Sequence, residues 1–143
     1  RLPHDTPIKH SPQQFGLQAV AAEPAWSLPV QKVGAATGFT RSYVAQPEMS
    51  WLERVDDLLI RYDDVFTVAN TNAEVPSAAP LSNSWGKWSR CRQFARIGDS
   101  GSLIADPQGR PVGMVVAVND KFVLAHRISS VLSCFNARIR CKS

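Results

Sequence analysis

The distribution of apolar positions along the chain predicts a domain built mainly from short β-strands. From Pro29 onward, short apolar runs are separated by Gly, Pro, Asn and Asp, which is the pattern of strands joined by turns. The turn ND follows PVGMVVAV and leads into KFVLAH, which predicts a hairpin between these two segments. The strand candidates are PVQKVG, FTRSYVA, DVFTVA, SLIAD, PVGMVVAV and KFVLAH.

Two segments show helical spacing instead. SWLERVDDLLIRY is predicted to be a helix, although the segment could also continue as a strand; its apolar positions at helical spacing are Trp51, Val55, Leu58 and Tyr62. The second predicted helix covers roughly residues 127–140, where the repeating apolar positions are Ile128, Val131, Leu132, Phe135 and Ile139. The pattern therefore predicts an antiparallel β domain closed by a terminal helix.

Length and composition fit one such domain. With 143 residues and 44% hydrophobic residues, the chain is long enough for a single core. Residues 1–16 carry three prolines and few apolar positions, so we expect residues 1–28 to form a linker or N-terminal arm and residues 29–143 to form the domain. No stretch is apolar for long enough to predict a membrane span, and no signal peptide is visible.

The cysteines and the charge exclude several kinds of site. The three cysteines are Cys91, Cys134 and Cys141, an odd number without CxxC spacing, which argues against a disulfide framework and against a zinc site. No cofactor or metal is therefore expected, and a reducing compartment is the simplest interpretation. The net charge of +4 is too small to indicate nucleic acid. The run WGKWSRCRQFAR interleaves aromatic and basic residues, yet a surface loop with partly buried tryptophans explains it without nucleic acid.

The stretch ARIGDSGSLIAD contains the strongest chemical signal. A serine hydroxyl attacks a carbonyl only when a base removes its proton, and the developing oxyanion needs hydrogen-bond donors. In Gly-Asp-Ser-Gly, the missing Cβ of Gly98 allows a backbone conformation that turns its N–H the same way as that of Ser100. On the motif alone, a nucleophilic serine and a tight polar turn between strands remain alternatives.

Three stretches resemble parts of intracellular trypsin-like serine peptidases. VQKVGAATGFTRSYV resembles the V-x-K-x-G-x-x-T-G-x-T-x-G-x-V stretch that opens the second barrel of that family. FARIGDSGSLIADPQGRPVGMVVAV resembles the F-x-x-P-G-D-S-G-S nucleophile loop and the hairpin after it, and FVLAHRISSVLSCF resembles the closing strand and terminal helix. The matches keep the family's order from about Val30 to Phe135, which is more specific than any one motif.

This resemblance implies the C-terminal barrel of a chymotrypsin-type fold, which is a six-stranded antiparallel Greek-key barrel with a C-terminal helix. It implies Ser100 as the nucleophile and the amides of Gly98 and Ser100 as the oxyanion hole. It also implies that Asp99 is buried and is held by hydrogen bonds or an amine, so that it sets the shape of the loop. The implied substrate-binding residues are Val116, Ala117 and Val118, which pair with the substrate backbone, and Phe94, Arg96 and Val118, which line a specificity pocket.

The sequence departs from this family in several positions. Ile97 replaces the usual proline before Gly98, Ala35 stands where arginine is usual, and Ser42 stands where glycine is usual. The residues 125–127 also differ from the usual Thr-Pro. These changes are compatible with a working barrel and also with a decayed copy.

The larger departure is the missing base. In the resembling family, the histidine base and its aspartate lie on an N-terminal barrel, whereas this sequence contains three histidines, His4, His10 and His126. His4 and His10 fall in the predicted linker, where solvated side chains are the ordinary case, and His126 falls on the closing strand, where lining of the core or pocket is expected. We therefore expect an N-terminal barrel or a partner chain to supply His and Asp.

Two functions remain open from the sequence. The first is a serine endopeptidase component that acts on a polypeptide substrate once the His/Asp-bearing barrel is supplied. The alternative is a catalytically inactive trypsin-like domain that binds a protein or peptide. In either case, a barrel without its partner would expose an apolar face beside Ser100. The candidate covers for this face are the linker 1–28, a second copy of the chain and a binding partner; the apolar residues of the linker are Phe15, Leu17, Val20 and Trp26.

Overall fold

Six antiparallel strands close into a ring in the computed structural model, which describes residues 17–73 and 92–139. The order around the ring is β1-β2-β3-β6-β5-β4, and every neighbouring pair is antiparallel. The predicted six-stranded antiparallel barrel is confirmed. In chain order the strands are β1 (Pro29–Gly34), β2 (Gly38–Val55), β3 (Leu58–Ala69), β4 (Leu103–Ala105), β5 (Pro111–Val118) and β6 (Phe122–Arg127).

Alternate residues of the strands fill the inside of the ring. Phe66 and Val68 of β3 face the same side, because side chains alternate along a strand, and they pair with Ala125 and Val123 of β6. Gly113 of β5 lies directly against the Phe66 ring, where a Cβ would overlap it. The buried apolar cluster consists of Val30, Val44, Phe66, Val68, Phe94, Ala95, Ile104, Val112, Val115, Val123 and Ala125.

β2 and β3 continue well beyond the ring as a two-stranded ribbon. β2 pairs with β1 only up to Tyr43, and β3 pairs with β6 only from Val65, but the two strands stay paired with each other as far as Val55 and Leu58. The Tyr62 ring of this ribbon lies 6.2 Å from the His126 ring of β6. The helix predicted for SWLERVDDLLIRY is therefore wrong, and the other interpretation of the segment as strand is correct.

The C-terminal helix α1 spans Ile128–Cys134. It is shorter than the predicted helix over 127–140, because the repeating apolar positions do not all meet the barrel: Ile128 is buried, whereas Phe135 is 76% exposed. The described cysteine, Cys134, is free and exposed, and Cys91 and Cys141 lie outside the described residues. No helix in residues 17–73 or 92–139 is long and apolar enough to cross a membrane.

The described part of the N-terminal arm, residues 17–28, runs along the barrel. The amide of Ala22 donates a hydrogen bond to the carbonyl of Pro111 (2.8 Å), and the Glu23 carboxylate pairs with the Arg127 guanidinium (2.8 Å). Pro111 is the first residue of β5, whereas Ser100 contacts Val116 near the other end of this strand. The contact of Ala22 thus lies at the end of β5 away from Ser100, and covering of the face beside Ser100 by the arm, by a second copy of the chain or by a partner stays a prediction.

Candidate active site

The GDSG loop, residues 96–101, connects the buried segment at Phe94 to the turn before β4. Gly98 has a φ of +106° and Gly101 a φ of +88°. Side chains rarely adopt this left-handed region, so both turns of the loop depend on glycine. They place Ser100 at the exposed tip of the loop, between the two glycines.

The amides of the loop fall into two groups. Those of Gly98 and Ser100 have no acceptor among the described residues. Both N–H groups are therefore available to a ligand, and they are the pair that the sequence predicted as an oxyanion hole. The Ile97 amide likewise has no acceptor among the described residues. The amides of Arg96, Asp99 and Gly101 donate within the structure: Arg96 to Asp99 Oδ2 (2.9 Å), Asp99 to the carbonyl of Arg96 (2.9 Å) and Gly101 to that of Val115 (2.8 Å).

The Ser100 hydroxyl contacts the barrel only weakly. Its Oγ donates to the carbonyl oxygen of Val116 at 3.5 Å, which is the long limit for a hydrogen bond. Among the described residues, the one histidine is His126, which is half-buried on β6 beside Tyr62 and makes no hydrogen bond to Ser100. His4 and His10 lie outside the described residues. Among the described residues, no base therefore contacts the serine that the sequence predicts to be the nucleophile.

Asp99 is fully buried and anchors the GDSG loop to the turn between β1 and β2. Its Oδ1 accepts hydrogen bonds from the amides of Ala36 (2.8 Å) and Thr37 (3.3 Å), and its Oδ2 accepts from Thr37 Oγ1 (2.7 Å) and the amide of Arg96 (2.9 Å). Burial is the largest single influence and raises the pKa of this carboxyl. The hydrogen bonds and the positive charge of Lys32 together outweigh it, so the pKa lies below the ordinary aspartate value. Asp99 is therefore held as a carboxylate.

Lys32 is the residue of this site that sequence reasoning missed. It lies on β1, is fully buried, and its Nζ is 3.7 Å from Asp99 Oδ2. The ammonium also donates to Thr37 Oγ1 (2.6 Å) and to the carbonyl of Gly38 (3.3 Å), and it lies 5.2 Å from the centre of the Phe94 ring. In the sequence, Lys32 matches the K of the V-x-K-x-G stretch, and the resemblance implied hydrogen bonds or an amine at Asp99, but Lys32 was assigned no role. A lysine in the middle of a strand usually points to solvent.

Beyond Met114, no strand among the described residues pairs with the edge of β5 that faces Ser100. β5 pairs with β4 as far as Met114, and the Val115 amide and carbonyl bond the loop at Ser102 and Gly101. The residues that follow, 116–118, pair on their other side with β6, with a bulge at Val116. The strand that the sequence predicted to receive a substrate backbone thus has an edge on which an extended peptide can add.

A cavity of about 300 Å³ lies between residues 93–97 and residues 118–120. Arg96 and Val118, two of the predicted pocket residues, line it. Phe94, the third, is instead fully buried in the barrel core. Asn70, which sequence reasoning did not single out, ties the walls together by accepting from the Ala95 amide (2.9 Å) and donating to the Asn119 carbonyl (2.6 Å). The full lining is Ala36, Gln93, Ala95, Arg96, Ile97, Val118, Asn119 and Asp120.

Among the described residues, no group of three or more His, Cys, Asp or Glu side chains is placed to bind a metal ion. The run WGKWSRCRQFAR lies outside the described residues up to Cys91. The sequence-based expectations of no cofactor and no nucleic acid therefore stay predictions.

Solved structures of other proteins share the fold of this chain. No protein-family model matches the sequence, and no curated protein matches it. Three solved structures are similar: a glutamic-acid-specific serine protease with a histidine triad in substrate binding (TM-score 0.56, 12% identity), Cellulomonas bogoriensis chymotrypsin (0.57, 13%) and Thermobifida fusca protease A (0.57, 14%). The matches cover 87%, 88% and 88% of this chain, and 54%, 57% and 56% of the respective proteases. The chain therefore spans a little over half the length of these structures, and it has the fold of the C-terminal barrel of chymotrypsin-like serine proteases.

Proposed function

We propose that the chain is the nucleophile-bearing component of a serine endopeptidase. The observation that carries the proposal is the GDSG loop, in which Ser100 is exposed and the amides of Gly98 and of Ser100 itself have no acceptor among the described residues. A simple polar turn needs neither two available N–H groups nor a fully buried carboxylate behind them. The proteases that share the fold make a polypeptide the natural substrate class.

In this proposal a peptide lies extended along Val116–Val118 and presents its carbonyl to the loop. Ser100 Oγ forms a bond to the carbonyl carbon, and the hydroxyl proton passes to a base. The carbonyl oxygen takes the electron pair and is stabilised by the amides of Gly98 and Ser100. Collapse of this intermediate breaks the C–N bond, the amine leaves with a proton, and water then hydrolyses the acyl group from Ser100.

The base and its orienting acid come from outside the described residues in this proposal. His126 faces Tyr62, and the described contacts of Ser100 include no histidine. A barrel carrying His and Asp, either in the same encoded protein or in a partner chain, would complete the site at the open side of Ser100.

The same loop and strand edge are also compatible with a second function. A catalytically inactive domain could bind an extended peptide on the β5 edge without forming a bond to Ser100. The two functions differ in whether Ser100 Oγ reacts with an electrophile held at the site.

A peptidyl boronic acid separates them, because boron accepts the Ser100 oxygen directly while the hydroxyl proton goes to solvent. We expect ¹¹B NMR of the chain with an excess of this compound to show tetrahedral boron at mildly alkaline pH. Ser100→Ala should abolish the signal, and Ser129→Ala, which removes an exposed hydroxyl on α1, should leave it unchanged. A signal that survives Ser100→Ala, or no signal at any concentration, contradicts the peptidase proposal. Peptide binding that is indifferent to Ser100→Ala would support the binding module.

A further inference from the structure

A second cavity, of about 70 Å³, adjoins the end of β5 on the outside of the ring, and we call it the outer cavity. Its floor includes a row of three residues across β3, β6 and β5, because Thr67 pairs with Leu124 and Leu124 pairs with Ala117. Paired residues share one face of a sheet. Phe66 and Val123, which precede Thr67 and Leu124, belong to the core, so the row faces away from the core.

The ribbon of β2 and β3 supplies a second wall of the outer cavity. Trp51 and Glu53 line the cavity, and they share a face of the ribbon because they are two positions apart on β2. Tyr62 pairs with Trp51, and its hydroxyl donates to Glu53 Oε2 at 3.5 Å. Phe122 of β6 also lines the cavity, which therefore combines two aromatic rings with a carboxylate.

Two polar groups of the outer cavity lack strong partners. The Thr67 hydroxyl is buried and has no hydrogen-bond partner among the described residues. The Glu53 carboxylate is half-buried, accepts only the long hydrogen bond from Tyr62, and forms no ion pair within residues 17–73 and 92–139. Buried polar groups normally have partners, and both of these oxygens accept hydrogen bonds. The group that complements this cavity is therefore a hydrogen-bond donor.

The charge of the ribbon favours a donor that is also a cation. Residues 46–64 contain six acidic and two basic residues, although the whole chain has a net charge of +4. The two basic residues are Arg54 and Arg61. Arg54 is next to Glu53 along β2, and Arg61 pairs with Leu52, so both arginines lie on the opposite face of the ribbon from Glu53. Aromatic rings such as those beside Glu53 also attract cations.

We propose that the outer cavity is a subsite for a lysine side chain of a peptide bound along β5. A peptide that adds to the edge at 116–118 places one residue opposite Ala117, and that residue faces the same side of the sheet as the outer cavity. A cavity of about 70 Å³ holds roughly two groups the size of a water molecule, which fits the ammonium and last methylene of lysine. The four heavy atoms of an arginine guanidinium exceed it. The inference rests on the proposed binding of an extended peptide, and not on the reaction at Ser100.

The position of the lysine in the peptide follows from the alternation of side chains. The reacting residue of the peptide lies beside Val116, whose carbonyl contacts Ser100 Oγ. The second residue, counted back from the reacting one, then lies opposite Ala117, and the fourth faces the same side two positions further along. The third residue faces the other side of the sheet.

Peptidyl boronic acids that carry lysine at the second, third or fourth position test this assignment by isothermal titration calorimetry. The reference peptides carry norleucine, which has nearly the same length without the charge. We expect lysine at the second or fourth position to bind about fivefold or more tightly than norleucine, and lysine at the third position to stay within about twofold. Arginine at the favoured position should bind more weakly than lysine.

Glu53→Gln should reduce the preference for lysine to within about twofold, because it removes the charge that faces the cation. The matched control is Asp57→Asn, which makes the same change of charge at the exposed turn of the ribbon and should keep the preference. Thr67→Val removes the hydroxyl at nearly constant shape and should also weaken the preference. It should not destabilise the fold, because no hydrogen bond of the described structure is lost.

Equal binding of lysine and norleucine at all three positions, no measurable binding of any lysine peptide, or a preference that survives Glu53→Gln would overturn the inference. Arginine that binds as tightly as lysine would also overturn the assignment to lysine. The same peptides with a carboxamide in place of the boronic acid, titrated into Ser100→Ala, separate the subsite from the reaction. A lysine preference there, in a protein whose wild type forms no tetrahedral boron, refutes the peptidase function and supports the subsite. Boronate adducts without a lysine preference refute the subsite and leave the peptidase function standing.

Discussion

At the scale of single residues, the position of the GDSG loop depends on Gly34, which has no side chain. Gly34 lies at the end of β1, and the Asp99 carboxylate packs so close to it that an added Cβ would overlap Oδ1 and lie 2.9 Å from Ser102 Oγ. Because residue 34 has no side chain, the carboxylate can reach the amides of the following turn at Ala36 and Thr37. The site is therefore built from residues more than sixty positions apart in the chain.

Gly34→Ala should destabilise the fold by about 1–3 kcal/mol, because the new methyl group must displace a buried, hydrogen-bonded carboxylate. The loss is measured by urea unfolding. Ala35→Ser, in the next and exposed position, is the control, and we expect it to stay within about 0.5 kcal/mol of the wild type. Equal free energies of unfolding for the two variants would show that the loop moves to accommodate the methyl group without loss of stability, which would contradict the close packing described above.

At the scale of elements, the β2–β3 ribbon shows why hydrophobic spacing can mislead. Trp51, Val55, Leu58 and Tyr62 fit a helix, yet Val55 and Leu58 lie at the exposed tip while Trp51 and Tyr62 are half-buried partners across the ribbon. The burial along β2 alternates with a period of two residues, as a strand requires. The ribbon projects from the ring, so apolar residues at its tip are exposed. The spacing of apolar residues in the sequence does not show whether those residues are buried.

The stability of β3 should therefore be uneven along its length. Leu58→Ala removes a side chain that is 67% exposed and should change the free energy of unfolding by less than about 0.5 kcal/mol. Phe66→Ala, eight residues along the same strand, empties the core position against Gly113 and should cost about 3–5 kcal/mol. Urea unfolding of both variants measures the difference. A large loss in Leu58→Ala would mean that the tip packs against something, as the helix prediction had required.

The elements predicted correctly from the sequence are those in which the pattern of apolar residues agrees with the burial of those residues in the structure. PVGMVVAV is apolar on both faces and forms β5 over its whole length, and KFVLAH gives β6 to within one residue at each end. The C-terminal helix was placed correctly but predicted too long: it ends at Cys134, and Phe135, one of the repeating apolar positions, is exposed. Local motifs located Ser100 and included Lys32 as a matched position, whereas the contact between Lys32 and Asp99 and the contacts of Asn70 join segments that are distant in the chain.

At the scale of the whole molecule, the described strands form a closed barrel, but the described residues do not supply the base that the proposed reaction needs. The ring closes without a second barrel, and its core is filled. The open edge at 116–118 and the exposed Ile97, which is 90% accessible beside Gly98, leave the surface around Ser100 uncovered by described residues. The chain matches a little over half of each similar protease, which fits a component that meets the rest of its site at this surface.

The isolated 143-residue chain should accordingly have negligible peptidase activity. Without a base, Ser100 keeps only the assistance of the oxyanion amides and of substrate binding, which in serine proteases that have lost a triad member amounts to roughly 10³–10⁴ over the uncatalysed reaction. Release of a fluorophore from a mixed library of peptide substrates measures this, with Ser100→Ala as the background. Turnover well above that background would contradict the prediction, and His4→Ala, His10→Ala and His126→Ala would then identify the base. Activity that appears only when a His/Asp-bearing barrel is added, and that is lost in Ser100→Ala, is the result the proposal requires.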